Sequence, residues 1–357
     1  MLRLHHQRQM LQFLSREVFF PHAPAYAGAL EYRPSPDEQM LLGLLQSYVP
    51  HEADGWSYSI DNLSLFFDRA LTQPDSPRLQ QLPKSHIFSL IWEETPALAK
   101  ELIGGYLEMI EVLGRRTAEL HLALASRPDL ADFAPEPFTD FYRQSVYHGM
   151  MGHLGRTLDL LQAESKRLDD ENRQAVQELL ARQEEIRSQL RNVRDNRIHA
   201  DRTRIHGNYH LQDVLFTGKD WMLIDFEGDP RRPVGERMLK RSPLRDIACM
   251  LRSLHYAAHA ASLGRVPGIH QRSFAELAPW SEFWTRWVGA AFVREYLKVS
   301  GEAGFLPRSR KEMLILLQTY SLEKALLEVE HELENRRDWL RIPIMGILHL
   351  LDYRLEA

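Results

Sequence analysis

The chain has 357 residues, 44% apolar and 26% charged, with a formal net charge of -5. That length can bury one large core or two modest ones, and the slight acidity offers no basic field for nucleic acid or an anionic membrane. One cysteine, Cys249, excludes an intramolecular disulfide framework and suits a reducing cytosol; within "RDIACMLRSL" it reads as a buried helix thiol. The N-terminal "MLRLHHQRQMLQFL" lacks the unbroken apolar stretch of a signal peptide. No run of about 18 apolar residues offers a membrane span, so the expectation is a soluble cytoplasmic protein.

In chain order, Leu4, Met10, Leu11, Leu14 and Phe19 form a helical stripe stopped by Pro21 and Pro24. "AYAGALEYR" (25–33) and "MLLGLLQSYVP" (40–50) read as two strands joined by the polar turn "PSPDEQ", and "HEADGW" (51–56) as a connector. A helix is expected over 59–71 with Ser59 as N-cap, then one long amphipathic helix over 95–126 with Pro96 in its first turn. Residues 136–163 and 164–197 predict two more helices. The second is dense in opposite charges and reads as a solvated face with i,i+4 pairs. "DVLFT" (213–217) and "WMLID" (221–225) make a hairpin around "GKD", and helices return at 243–262, 276–300 and 309–336. The expected architecture is α+β and bilobal: residues 1–52 form a small mixed lobe and 53–357 a large, mainly helical lobe with one embedded hairpin.

The hairpin carries the chemistry. Phosphoryl transfer from a nucleotide requires metal on the phosphates, a carboxylate to orient the attacking hydroxyl, and positive or amide groups against the developing charge. A loop His-x-Asp-x-x-x-x-Asn/Gln, a hairpin, and then Asp-Phe supplies these with few residues. In "RIHGNYHLQDVLFTGKDWMLIDFEGDP" (204–230) the corresponding frame is His206, Asn208, Asp213 and Asp225. Asp213 and Asp225 are hard oxygen ligands suited to Mg²⁺.

The stretch "DFEGDPRRPVGERMLKRSPLRDIACMLRSLHYAA" (225–258) resembles the maltokinases, sugar kinases within the aminoglycoside-phosphotransferase-like superfamily. The resemblance continues in "AGALEYR" (27–33), "DGWSYSIDNL" (54–63), "FAPEPFT" (133–139) and "LEKALLEVEHELENRRDWLRIPIMGIL" (322–348). It implies a bilobal protein-kinase-like fold with a truncated small lobe, and transfer of the terminal phosphate of ATP to maltose, giving maltose 1-phosphate. It also implies a link to trehalose and α-glucan metabolism, with trehalose synthase as a partner. Carried over by position, Asp225 and Asp213 would hold Mg²⁺, and Asn208 falls on the catalytic base beside His206. Gln46, Tyr48 and Val49 would form the interlobe hinge that meets adenine. His210, Glu227, Arg232, Glu328 and Glu332 would line the acceptor side.

Two departures bear on activity. The family has Asp where this chain has Asn208, and an amide cannot take up a proton near neutrality. It has Gln where this chain has Asp213, so acid and amide are exchanged in the loop. The resemblance also begins at the helix that in kinases pairs a Glu with the phosphate-binding Lys; Gln9 falls there, and the Lys and its covering loop have no counterpart. A sugar-binding or scaffolding pseudokinase is therefore the alternative reading, and a different sugar or an aminoglycoside as acceptor is the third.

The remaining candidates have plainer readings. His255 and His259 lie one turn apart but no third metal ligand suggests itself, so they read as flanking the acceptor cleft or a packed helix face. His5 and His6 read as surface residues. The arginines of "PRRP" (230–233) would hold phosphate or pair with carboxylates. Trp56, Trp221 and Trp339 would sit in the core or stack on sugar. Ser242 and Ser253 have no triad partners.

Overall fold

The computed structural model describes residues 2–35, 38–72, 85–267 and 273–353. Helix α1 (Leu2–Gln12) runs into a π-helical turn, Phe13–Glu17, that carries the chain to the hairpin of β1 (Tyr26–Ser35) and β2 (Glu38–Gln46). Then follow β3 (Ala53–Asp54), α2 (Gly55–Leu71), α3 (Ile87–Leu90), α4 (Ala97–Ile103), α5 (Tyr106–Leu124), β4 (Glu136–Pro137) and α6 (Asp140–Glu164). Next come α7 (Asp170–Ala181), α8 (Gln183–Asp195), β5 (Asp201–Arg202), β6 (Val214–Phe216) and β7 (Trp221–Leu223). The chain continues through α9 (Val234–Arg237), α10 (Leu244–Ser262), α11 (Phe274–Ser300), α12 (Arg310–Asn335) and α13 (Arg341–Leu351).

Several boundaries differ from the sequence expectation. The segment at 51–56 is more than a connector: Glu52 N–H donates to the Phe216 carbonyl, β3 joins β6 and β7 in a three-stranded sheet, and Asp54 caps α2 by accepting from Ser57 N–H. Ser59 is therefore inside the helix, buried, with its hydroxyl on Gly55 O and Tyr106 Oη. The helix expected over 95–126 is two, because Gly104 adopts φ 66, a left-handed conformation that closes α4. The charged helix at 164–197 is likewise two, α7 and α8. Arg182 at their junction pairs with Glu185 and with Asp352 next to α13. Its charged pairs are spaced i,i+3, as in Arg173–Asp170 and Arg187–Glu184, while Ile186, Leu190 and Val193 turn inward.

One hydrophobic core extends from Met10, Phe13 and Leu14 of the N-terminal segment through the helical bundle to Ile344 and Leu351 of α13. α5 and α11 pack closely, with Gly114 against the Phe292 backbone. By contrast, the β1–β2 hairpin leaves Leu30, Tyr32, Leu42 and Leu45 more than half exposed, at 59, 54, 54 and 57%. A two-stranded hairpin alone is marginally stable; here α1 supports it, and Arg8 of α1 pairs with Glu31 at 2.5 Å. Among the described residues no helix is long and apolar enough to cross a membrane.

Candidate active site

The loop between β5 and β6 is held from beneath by Asp246 of α10. Its carboxylate accepts the backbone N–H of His206 (2.8 Å) and of Gly207 (2.9 Å), and the Nε2–H of buried His121 (3.0 Å). Burial opposes the Asp246 charge, but the His121 ring and the loop amide hold its pKa below the usual carboxylate range. His206 is itself buried and donates through Nε2 to the Ile224 carbonyl at 2.8 Å, which ties the loop to the strand end that bears Asp225. Its role is thus structural, and burial lowers its basicity.

Asp225 follows β7 with φ 62, one of two non-glycine residues in the left-handed region among those described. Such a conformation is unfavourable for a side-chain-bearing residue and persists where the surroundings impose it. Asp225 is exposed. Asp213 is buried: its Oδ2 accepts from His210 N–H at 3.0 Å and lies 3.2 Å from His210 Nδ1. Burial, with Asp225 adding repulsion, pushes the Asp213 carboxyl up to about 9 despite the His210 backbone donor and Lys324. A buried carboxylate so destabilised, with an exposed one across the hairpin, fits a hard divalent cation held by oxygen.

Asn208 donates from Nδ2 to His210 Nε2 at 3.2 Å, so the His210 lone pair is occupied. Burial lowers the His210 pKa to about 3. Neither residue is a general base near neutral pH. Cys249, in the same cavity wall, is raised to about 11 by burial, consistent with an inert thiol.

Two adjoining cavities meet at Asn208. The smaller is floored by an arginine network: Arg245 and Arg232 both donate to Glu323 (2.5 and 3.1 Å), and Arg231 to Asp229 (3.1 Å). The "PRRP" arginines are therefore paired with carboxylates. The larger, about 520 Å³, brings Asn208 and His210 together with Trp56, Tyr256, Trp339 and Lys324. Its far wall is preorganised. Arg336 lies over the Trp339 ring at 4.4 Å and pairs with Glu332 at 2.8 Å; Tyr256 hydrogen-bonds Glu332; and Arg252 holds Glu328 at 2.7 Å. Aromatic faces with fixed charges and amides suit a ligand rich in hydroxyls.

The sequence-derived residues are thus only partly brought together. Asn208, His210, Glu328 and Glu332 line the larger cavity, Arg232 the smaller, and Asp213 and Asp225 line neither. Glu227 and the hinge residues Gln46, Tyr48 and Val49 line neither; Tyr48 is 81% exposed and the Val49 carbonyl takes the His51 ring at 2.9 Å. Gln9 donates to Asp132 at 2.6 Å. Trp221 is in the core, whereas Trp56 and Trp339 reach the cleft. His6 is buried, not superficial, because Arg204 donates to its Nδ1 at 2.7 Å. Ser253 accepts from Leu211 N–H, a loop-holding role.

Lys324 went unremarked in the sequence. It acts through space on Asp213, Asp229, His210 and Cys249, and the only sequence signal was its place one turn before Glu328 on the same helix. His121, Asp246 and Tyr256 were also missed, since each acts through a partner far along the chain.

The loop held by Asp246 and tied through His206 to the strand end that bears Asp225, set within a mainly helical body, has the layout of a kinase-like fold. The model of the phosphotransferase enzyme family APH matches residues 106–265. Among solved structures, glucosamine kinase in one crystal form aligns with TM-score 0.65 and 18% identity over 96% of this chain and 69% of that one. The same kinase in complex with glucosamine, ADP and inorganic phosphate aligns with TM-score 0.65 over 96% and 67%. A second crystal form gives 0.64. The fold is therefore that of a kinase-like sugar kinase, as the sequence led one to expect.

Proposed function

We propose that this chain is a sugar phosphotransferase of the maltokinase type, with Mg²⁺·ATP as donor and maltose or a related sugar as acceptor. The observation that carries this reading is the aromatic, charge-lined cleft of about 520 Å³ that opens onto Asn208. Residues 1–52 would be the remnant of the small lobe and 53–357 the large lobe, with Gln46, Tyr48 and Val49 at the hinge. Trehalose synthase as partner follows from the sequence resemblance alone.

In this reading Asp213 and Asp225 hold the cation, whose charge neutralises the nucleotide phosphates. Trp56 and Trp339 seat the sugar, and Glu328 and Glu332, fixed by Arg252 and Arg336, accept its hydroxyl protons. Asn208 orients the attacking hydroxyl by hydrogen bonding, and that proton leaves to water or with the phosphoryl oxygens. Lys324 adds positive charge beside the loop.

The alternative, a sugar-binding pseudokinase, is favoured by Asn208 itself, an amide at the position where a general base is expected. Calorimetric titration of maltose, glucosamine and Mg²⁺·ATP, with sugar phosphate assayed in the same samples, separates the two. Turnover by the wild type, rising about 10²–10⁴-fold in Asn208→Asp, supports the kinase. Sugar binding without nucleotide binding in either protein establishes the pseudokinase, and failure to bind any sugar rejects both.

A further inference from the structure

We propose that His255, His259, Glu282 and His349 form a zinc site that ties α10, α11 and α13 together, apart from the phosphotransfer cleft. One ligand atom from each residue lies within 4.8 Å of all the others. Glu282 Oε1 is 3.0 Å from His259 Nε2 and 3.0 Å from His349 Nδ1. A tetrahedral zinc with nitrogen and oxygen ligands at about 2.0–2.1 Å spaces them roughly 3.3 Å apart. Small side-chain rotations bring the four within reach of one ion.

Two features of the cluster suit a cation. His259 Nδ1–H donates to the His255 carbonyl at 2.9 Å. In the neutral ring Nε2 then carries a lone pair, and that lone pair faces a carboxylate oxygen. A metal ion on Nε2 would take the place of the proton that otherwise joins the ring to the carboxylate. His255 stacks on His259 with centroids 3.9 Å apart, is only 7% exposed, and has no hydrogen-bond partner on either ring nitrogen. Buried polar atoms rarely go unpaired without a ligand.

The outer shell is in place as well. The His255 carbonyl fixes the His259 tautomer, and Arg286 holds the second Glu282 oxygen at 3.3 Å. A cavity of about 280 Å³ lined by His255, Glu282 and His349 gives the ion its entry path. Three imidazoles and one carboxylate suit zinc better than Mg²⁺, which takes oxygen ligands and retains water. Four protein ligands from three helices make a closed, structural site. The i,i+4 histidines were visible in the sequence; Glu282 and His349 arrive only through the packing of α11 and α13 on α10.

Tag-free full-length protein, stripped with a chelator and titrated with Zn²⁺, tests this. One Zn²⁺ per chain is expected, with a higher melting temperature and, on Co²⁺ substitution, the visible bands of a tetrahedral centre. His349 is about one third exposed, so His349→Ala removes a ligand without opening the core; it should weaken Zn²⁺ by about 100-fold or more, as should Glu282→Gln. Asp225→Asn, at the phosphotransfer site, should leave Zn²⁺ affinity unchanged. No Zn²⁺ uptake by the wild type, unchanged affinity in His349→Ala, or loss of binding in Asp225→Asn would overturn the proposal.

Discussion

Asp246 and His121, 125 residues apart in sequence, meet at 3.0 Å in the buried floor of the loop that carries Asn208. The same carboxylate accepts the backbone N–H groups of His206 and Gly207, while Tyr296 donates to the other nitrogen of His121. The loop is shaped from below, by groups that never face the cleft. Asp246→Ala removes the acceptor of the His206 and Gly207 amides and of the His121 Nε2–H, and should destabilise by about 3–5 kcal/mol in denaturant unfolding. Asp246→Asn, which keeps one acceptor, should lose less.

Gly55 opens α2 beneath the same loop. A Cβ there would lie 2.5 Å from the Leu211 carbonyl oxygen and 2.6 Å from Val214 Cγ2. Gly55→Ala should therefore destabilise by about 1–3 kcal/mol, although alanine is the better helix former. Because the displaced segment joins His210 to Asp213, sugar affinity measured by calorimetry should fall as well.

Trp339 offers its ring to the cleft with Arg336 on it at 4.4 Å and Tyr256 stacked at a centroid distance of 5.8 Å. Trp339→Ala should weaken sugar binding by about 0.5–1.5 kcal/mol, roughly 2–10-fold in Kd. Trp339→Phe should recover part of that loss. Melting temperature measured alongside separates lost stacking from lost fold.

Acid should unfold the protein partly through His6. Burial, with Arg204 adjacent, lowers its pKa from 6.5 to about 3, so the unfolded chain takes up a proton first as pH falls. The stability that the neutral ring supports is complete above pH 6.5 and declines from there toward about 3. His206 shifts in the same direction. His6→Asn keeps an acceptor for Arg204 but does not titrate, so its denaturant midpoint should fall less steeply over that interval, each unit of difference being worth about 1.4 kcal/mol.

What the sequence by itself determined was whatever neighbouring residues decide together. The stripe of Met10, Leu11 and Leu14, the hairpin around Gly218, and the frame of His206, Asn208, Asp213 and Asp225 lie within short stretches whose periodicity and turn chemistry are local. The kinase-like fold was implied by the resemblance carried over 225–258 and the stretches that extend it. The tertiary structure decided what depends on contacts between distant segments. It placed His6 under Arg204, ended α4 at Gly104, turned Trp339 and Lys324 toward Asn208, and brought Glu282 and His349 to the His255–His259 pair. Periodicity reports which face of a helix is buried, but only packing reports which helix it meets. For that reason the loop of His206 and Asn208 was legible one residue at a time, whereas its support from Asp246 and His121 was not.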